Sequence, residues 1–92
     1  MTKKNPLISI IMTYYRKKNY IKKTLNSIIS QSYKNYELIV VYDDKIKDEL
    51  EYLKILLRKF NKKKLIINKK NIGVAKSRNL AIKSCKGDYI AF

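Results

Sequence analysis

The sequence predicts an α/β fold, an open parallel sheet with helices on both faces, and three observations carry that prediction. Short apolar runs alternate strictly with segments of helical period. The runs are apolar at nearly every position, as strands covered on both faces are. The segments between them are long enough to hold the helical crossovers that parallel neighbours require.

"LISIIMT" (7–13) follows Pro6 directly, a residue tolerated at the start of a strand. From Asn19 the period changes. Ile21, Leu25, Ile28, Ile29 and Ser32 share one helical face, so a helix is expected over 19–32 with Asn19 as its N-cap. "YELIVVY" (36–42) is apolar towards both faces and reads as an interior strand. Ile46, Leu50, Leu53, Leu57 and Phe60 alternate spacings of four and three, which predicts a helix over 46–60. "KLII" (64–67) is a third strand, "NKKNIG" (68–73) a loop and "VAKSRNLAIKSCK" (74–86) a third helix. Gly87 is expected to close that helix in the left-handed conformation. "DYIAF" (88–92) begins a fourth strand. One domain is expected, with no internal repeat or linker.

The chain has 92 residues, with 22 Lys+Arg against 7 Asp+Glu and a formal charge of +15. Only Arg16, Arg58 and Arg78 of the basic residues are arginine, the side chain that pairs with phosphates and bases through two donors at once. The charge therefore reads first as a dispersed lysine-rich surface, then as attraction to an anionic membrane; a specific nucleic-acid partner is not expected. No run approaches the ~20 apolar residues of a membrane span. The lone Cys85 cannot form an internal disulfide, which suits a cytoplasmic setting, with peripheral attachment at the inner face of the membrane as a variant. With no histidine, His-based triads and His metal ligands are excluded. With only Gly73 and Gly87, neither a dinucleotide fingerprint nor a phosphate-binding P-loop exists.

Open α/β sheets bind ligands at the carboxyl ends of their strands. Here the first strand delivers Thr13, Tyr14, Tyr15 and Arg16, and the second delivers Asp43 and Asp44. The third helix starts near the same edge with Ser77, Arg78 and Asn79. A ring, a carboxylate and a guanidinium suit a nucleotide: stacking on the base, accepting a base N–H, and pairing with phosphate. Each also has a plainer reading. Tyr15 could cover a helix end, the two aspartates could cap the second helix, and Arg78 could lie on a solvated face.

Five segments in order resemble the N-terminal portion of family 2 inverting nucleotide-sugar glycosyltransferases of the GT-A, Rossmann-like fold. They are the opening strand, the helix ending in "SQSY", the acid-ended second strand "ELIVVYDD", the "NIGVAKSRNLA" segment and "KGDYIAF". The resemblance spans essentially the whole chain. It implies that Tyr15 packs on the base, Thr13 lies beside it, Asp43 accepts the base N–H with Asp44 next to it, and Arg78 lies near base and diphosphate. It implies a nucleotide-diphosphate sugar donor, UDP-sugar foremost, and a glycan or lipid-linked glycan acceptor.

Three positions depart from the family pattern: Tyr42 stands at the first acid of its Asp-Asp-Gly-Ser turn, Lys45 replaces a small hydroxyl, and Arg16 stands where Asn is common. In the family, the strand begun by "DYIAF" leads into a D-x-D motif that binds Mg²⁺ or Mn²⁺. That motif and the catalytic base are expected beyond Phe92. Residues 1–92 are therefore expected to form a nucleotide-binding portion cut before the metal, inactive alone, binding no metal and prone to homo-oligomerise through uncovered apolar surface. The competing readings are a small basic α/β module for nucleic acid or anionic surfaces, and a receiver-type domain, whose acidic pair would follow the first strand instead.

Overall fold

The computed structural model describes residues 5–68 and 71–92. The elements run β1 (Ile8–Tyr14), α1 (Lys18–Ser30), β2 (Tyr36–Tyr42), α2 (Lys47–Leu57), β3 (Lys63–Ile67), α3 (Val74–Ser84) and β4 (Tyr89–Ala91). The four strands form one sheet in the order β3-β2-β1-β4, every neighbouring pair parallel. The chain steps outward from β1 to β3 and then returns to place β4 on the far side of β1. The order thus reverses at β1, the kind of switch point at which open α/β sheets form a crevice.

Alternation along β2 builds two cores. Leu38, Val40 and Tyr42 point to one face, where they meet Ile21 and Leu25 of α1 and Leu53 and Leu57 of α2. Ile39 and Val41 point to the other, where they meet Ile11 of β1 and Ala81 of α3. Helices therefore cover both faces, and β2 is interior as its unbroken apolar run requires.

Several local expectations are corrected. α1 begins at Lys18 with Lys17 at the N-cap, not Asn19. Arg16 adopts the left-handed conformation (φ 51°) and turns the chain into the helix early. Ser32 lies past the end of α1, and α2 stops before Phe60, which is buried nonetheless. Gly87 does not close α3: that helix ends at Ser84, Cys85 is extended, and Gly73 is the only glycine with positive φ. Within the expected loop 68–73, Lys69 and Lys70 lie outside the described residues.

Tyr42, the departure at the family's first acid, is a core residue. Its ring stacks on Tyr14 with centroids 5.1 Å apart, and its hydroxyl donates to the Ile46 carbonyl at the entry to α2. Tyr14 in turn donates to Glu49 Oε1 at 2.6 Å inside the core. Burial, and then Glu49, push the Tyr14 phenol far above its usual range, so it remains a donor. Tyr14→Phe is expected to leave the buried Glu49 without this bond and to cost ~1–3 kcal/mol, read as a lower urea midpoint at unchanged slope.

Candidate functional site

Alternation also decides where the two aspartates go. Tyr42 faces α1 and α2, so Asp43 faces α3, and both aspartates are largely buried. Asp43 Oδ1 accepts from Ile72 N–H at 2.8 Å and the Asn68 amide at 3.0 Å; Oδ2 accepts from Gly73 N–H at 2.9 Å and the Asn71 amide at 3.0 Å. A carboxylate has about four acceptor sites, so these donors fill it. Burial pushes the Asp43 carboxyl up, but the Ile72, Asn68 and Gly73 donors outweigh it and hold the group below its ordinary value.

The segment it grips, Asn71–Gly73, leads straight into α3. Gly73 has φ 93° and ψ 160°, a conformation that is essentially glycine-only. Asp43 thus sets the start of α3, which buries Ser77 and presents Arg78 to solvent.

Asp44 performs a parallel task on the other side. It accepts from Arg16 N–H at 3.0 Å and Lys45 N–H at 2.8 Å, which locks the left-handed turn after β1. That turn carries Tyr15, 40% exposed, with the Arg16 guanidinium 5.1 Å from its ring centre. Neither aspartate caps α2, whose N-cap is Ile46 and whose first-turn acids are Asp48 and Glu49.

The expected site residues fall into two adjoining groups at this edge. Thr13 and Arg78 line a cavity of about 340 Å³ beside the open half of β1, together with Lys17, Tyr20 and Phe92. Tyr15, Asp43 and Asp44 lie outside that cavity. Lys17 escaped the sequence reading. Its ammonium donates to the Thr13 carbonyl at 2.7 Å, and burial, then the nearby Arg78 charge, lower its pKa. Only the "RKK" run after β1 hinted at it, and a run cannot say which lysine folds back.

The sequence profile of Glycosyl transferase family 2 matches residues 9–92. The chain belongs to glycosyl transferase family 2. Among curated members, an uncharacterized glycosyltransferase of Haemophilus influenzae is 37% identical over 87 residues, covering 95% of this chain and 35% of the relative. Glycosyltransferase GlyA of Streptococcus pneumoniae is 34% identical over 85 residues, covering 92% of this chain and 12% of the relative. The chain thus spans about a third or less of the length of these family 2 relatives. Among solved structures, a mannosyltransferase from Pyrobaculum calidifontis in complex with GDP-Man and Mn²⁺ superposes with a TM-score of 0.84 at 19% identity, covering 94% of this chain and 26% of that one. S. aureus TarS superposes at 0.66 with 27% identity, covering 90% and 15%. The fold is therefore that of the GT-A family 2 enzymes, matched over a part of their length.

A divalent cation does not fit the described residues. Among the described residues no three carboxylates or thiols gather as a metal site. Asp43 and Asp44 are already engaged by protein donors, so no step through a metal is assigned to this chain.

Proposed function

We propose that residues 1–92 are the donor-nucleotide portion of an enzyme that moves a sugar from a nucleoside diphosphate to an acceptor hydroxyl with inversion. The supporting observation is the convergence at one sheet edge of an exposed ring on a locked turn, a charged carboxylate and two cations beside Thr13. Tyr15 stacks on the base, and Thr13 lines its pocket. Asp43 accepts the base N–H in exchange for the amide of Asn71, an exposed residue among its four donors. Asp44 keeps Tyr15 in place. Arg78 and Lys17 face the diphosphate.

Uridine is the proposed base; the mannosyltransferase described with GDP-Man makes guanosine the comparison. The acceptor is proposed to be a glycan or lipid-linked glycan. In the complete enzyme Mg²⁺ or Mn²⁺ would neutralise the departing diphosphate, held by carboxylates outside this chain. No helix among the described residues is long and apolar enough to cross a membrane. The proposed location is the cytoplasm, against the inner face of the membrane. Exposed Val74 and Ile82 on α3 and Ile90 and Phe92 at β4 support homo-oligomer formation.

The test is NMR titration of the labelled chain with UDP and with GDP, with and without Mn²⁺. Shifts are expected at Tyr15, Asn71 and Arg78, with UDP ahead of GDP and little effect of Mn²⁺. Affinity should be near millimolar, because solvated phosphate–cation pairs contribute little. Tyr15→Ala should weaken binding by roughly tenfold, whereas Asn71→Ala should leave it unchanged or tighten it. Shifts confined to the lysines of residues 58–64 would defeat the nucleotide site.

A further inference from the structure

The edge of the sheet opposite this crevice has a different character. Lys34 precedes β2; Arg58, Lys59 and Lys62 connect α2 to β3; Lys63 and Lys64 open β3; and Lys86 precedes β4. All seven are exposed and lie at the N-terminal ends of the strands. All but Arg58 border two adjoining concavities that share Lys62, one over Tyr36 and Phe60, the other over Leu7 and Glu37.

The two acids at this edge accept hydrogen bonds from the fold itself, and of the seven cations the Lys64 charge acts on Glu37. Glu37 Oε2 accepts the Ser9 hydroxyl at 2.5 Å and Lys86 N–H at 2.7 Å, and Asp88 Oδ2 accepts Leu7 N–H at 3.0 Å. Lys34 and Lys63 each donate at 2.8 Å to a backbone carbonyl, of Ile29 and Phe60, and Lys59 donates to the Asn26 amide. Those bonds are to neutral acceptors, which position the ammonium groups without neutralising them.

We infer that this face docks on an anionic phospholipid bilayer, so that the nucleotide crevice at the opposite sheet edge faces away from the lipid. The inference names the surface behind the proposed membrane location and does not depend on the nucleotide site. Lipid headgroups fit better than nucleic acid. Six of the seven cations are lysines, point charges suited to delocalised attraction, and only Arg58 offers paired donors. Phe60 is buried and Tyr36 half-buried, so the rings inside the lysine-lined concavity give no stacking platform for bases. Tyr89, 54% exposed at the start of β4, suits the headgroup level of a bilayer.

The test is cosedimentation of the full chain with mixed phosphatidylcholine/phosphatidylglycerol vesicles and with pure phosphatidylcholine vesicles. Binding is expected to the anionic vesicles only, and to be released by salt. At about fivefold per lysine, K62Q/K63Q/K64Q should lower the partition coefficient on the order of 100-fold. K45Q/K47Q/K76Q carries the same charge change to the other edge and should lower it far less. K34Q/K59Q provides an independent second variant should the triple change fail to fold. Equal losses from the two triple variants would overturn the inference by reducing it to net charge, as would absence of binding at low salt. Stronger binding to random-sequence duplex DNA that depends on Lys62–Lys64 would overturn it in favour of nucleic acid. UDP titration of K62Q/K63Q/K64Q should match the wild type, which separates this face from the crevice.

Discussion

Replacing Asp43 with alanine is expected to cost ~3–5 kcal/mol, because two backbone N–H groups lose a buried, charged acceptor, each such bond being worth about 1.5–3 kcal/mol. The substitution strands the N–H groups of Ile72 and Gly73 and takes the carboxylate from the amides of Asn68 and Asn71, which keep only Ser77 Oγ and the Asp43 carbonyl. A small domain has only ~5–15 kcal/mol in total, so the variant should be close to unfolding. Urea denaturation followed by circular dichroism measures the loss, and a loss below ~1 kcal/mol would show that the hub does not hold the start of α3.

The same carboxylate makes the fold acid-sensitive, with a definite sign. Its folded-state pKa lies below the ordinary 3.8, so its stabilisation is complete above that value and is lost as pH falls through it towards the folded pKa. Glu37 acts in the same direction from 4.5 downward: burial pushes it up, but the Ser9 hydroxyl, Lys86 N–H and the Lys64 charge outweigh burial. Urea midpoints should be flat from neutrality down to about pH 5 and fall below about pH 4. In Asp43→Ala the fall should be shallower, since only Glu37 of the pair remains.

Gly87→Ala is expected to cost ~2–3 kcal/mol, near the upper end for overpacking. An added Cβ would lie 2.4 Å from Ser9 Oγ, 2.7 Å from Ser9 N and 2.9 Å from Leu7 O. The last two are backbone atoms at the start of β1 and cannot swing away. Gly87 N–H also donates to Ser9 Oγ at 2.9 Å, and Asp88 N–H to the Leu7 carbonyl at 2.7 Å, so displacement loosens the junction of β4 with β1. Faster amide exchange at Asp88 and Tyr89, with a lower urea midpoint, is the expected reading. Adding Ser9→Ala should recover only part of the loss, because it removes one close contact of three. Full recovery would show that the hydroxyl alone was the obstacle.

Both variants mark the boundary of what local sequence carries. Period and alternation are short-range properties, and a strand apolar on both faces or a helix with one apolar stripe shows its character within ten residues. For that reason the sequence by itself determined the element order, the parallel sheet, the interior place of β2 and the convergence of Thr13, Tyr15, Asp43, Asp44 and Arg78 on one edge. It also carried the resemblance to family 2, since the segments in question are contiguous.

What only the tertiary structure decided involves partners distant along the chain. Gly87 read as a helix terminator because the nearest helix was its only visible neighbour; the atoms that require a glycine belong to Leu7 and Ser9. Asp43 read as an open acceptor because its donors lie 25 to 30 residues ahead. The early start of α1 follows from Asp44 gripping Arg16 N–H, 28 residues back. Even the gathering of seven cations on a face opposite the crevice needed the sheet, since Lys34, Lys62 and Lys86 come together only where three strands begin. In each case a side chain's role is set by the hydrogen-bond or packing partner that folding brings within reach, and local propensity cannot see that partner.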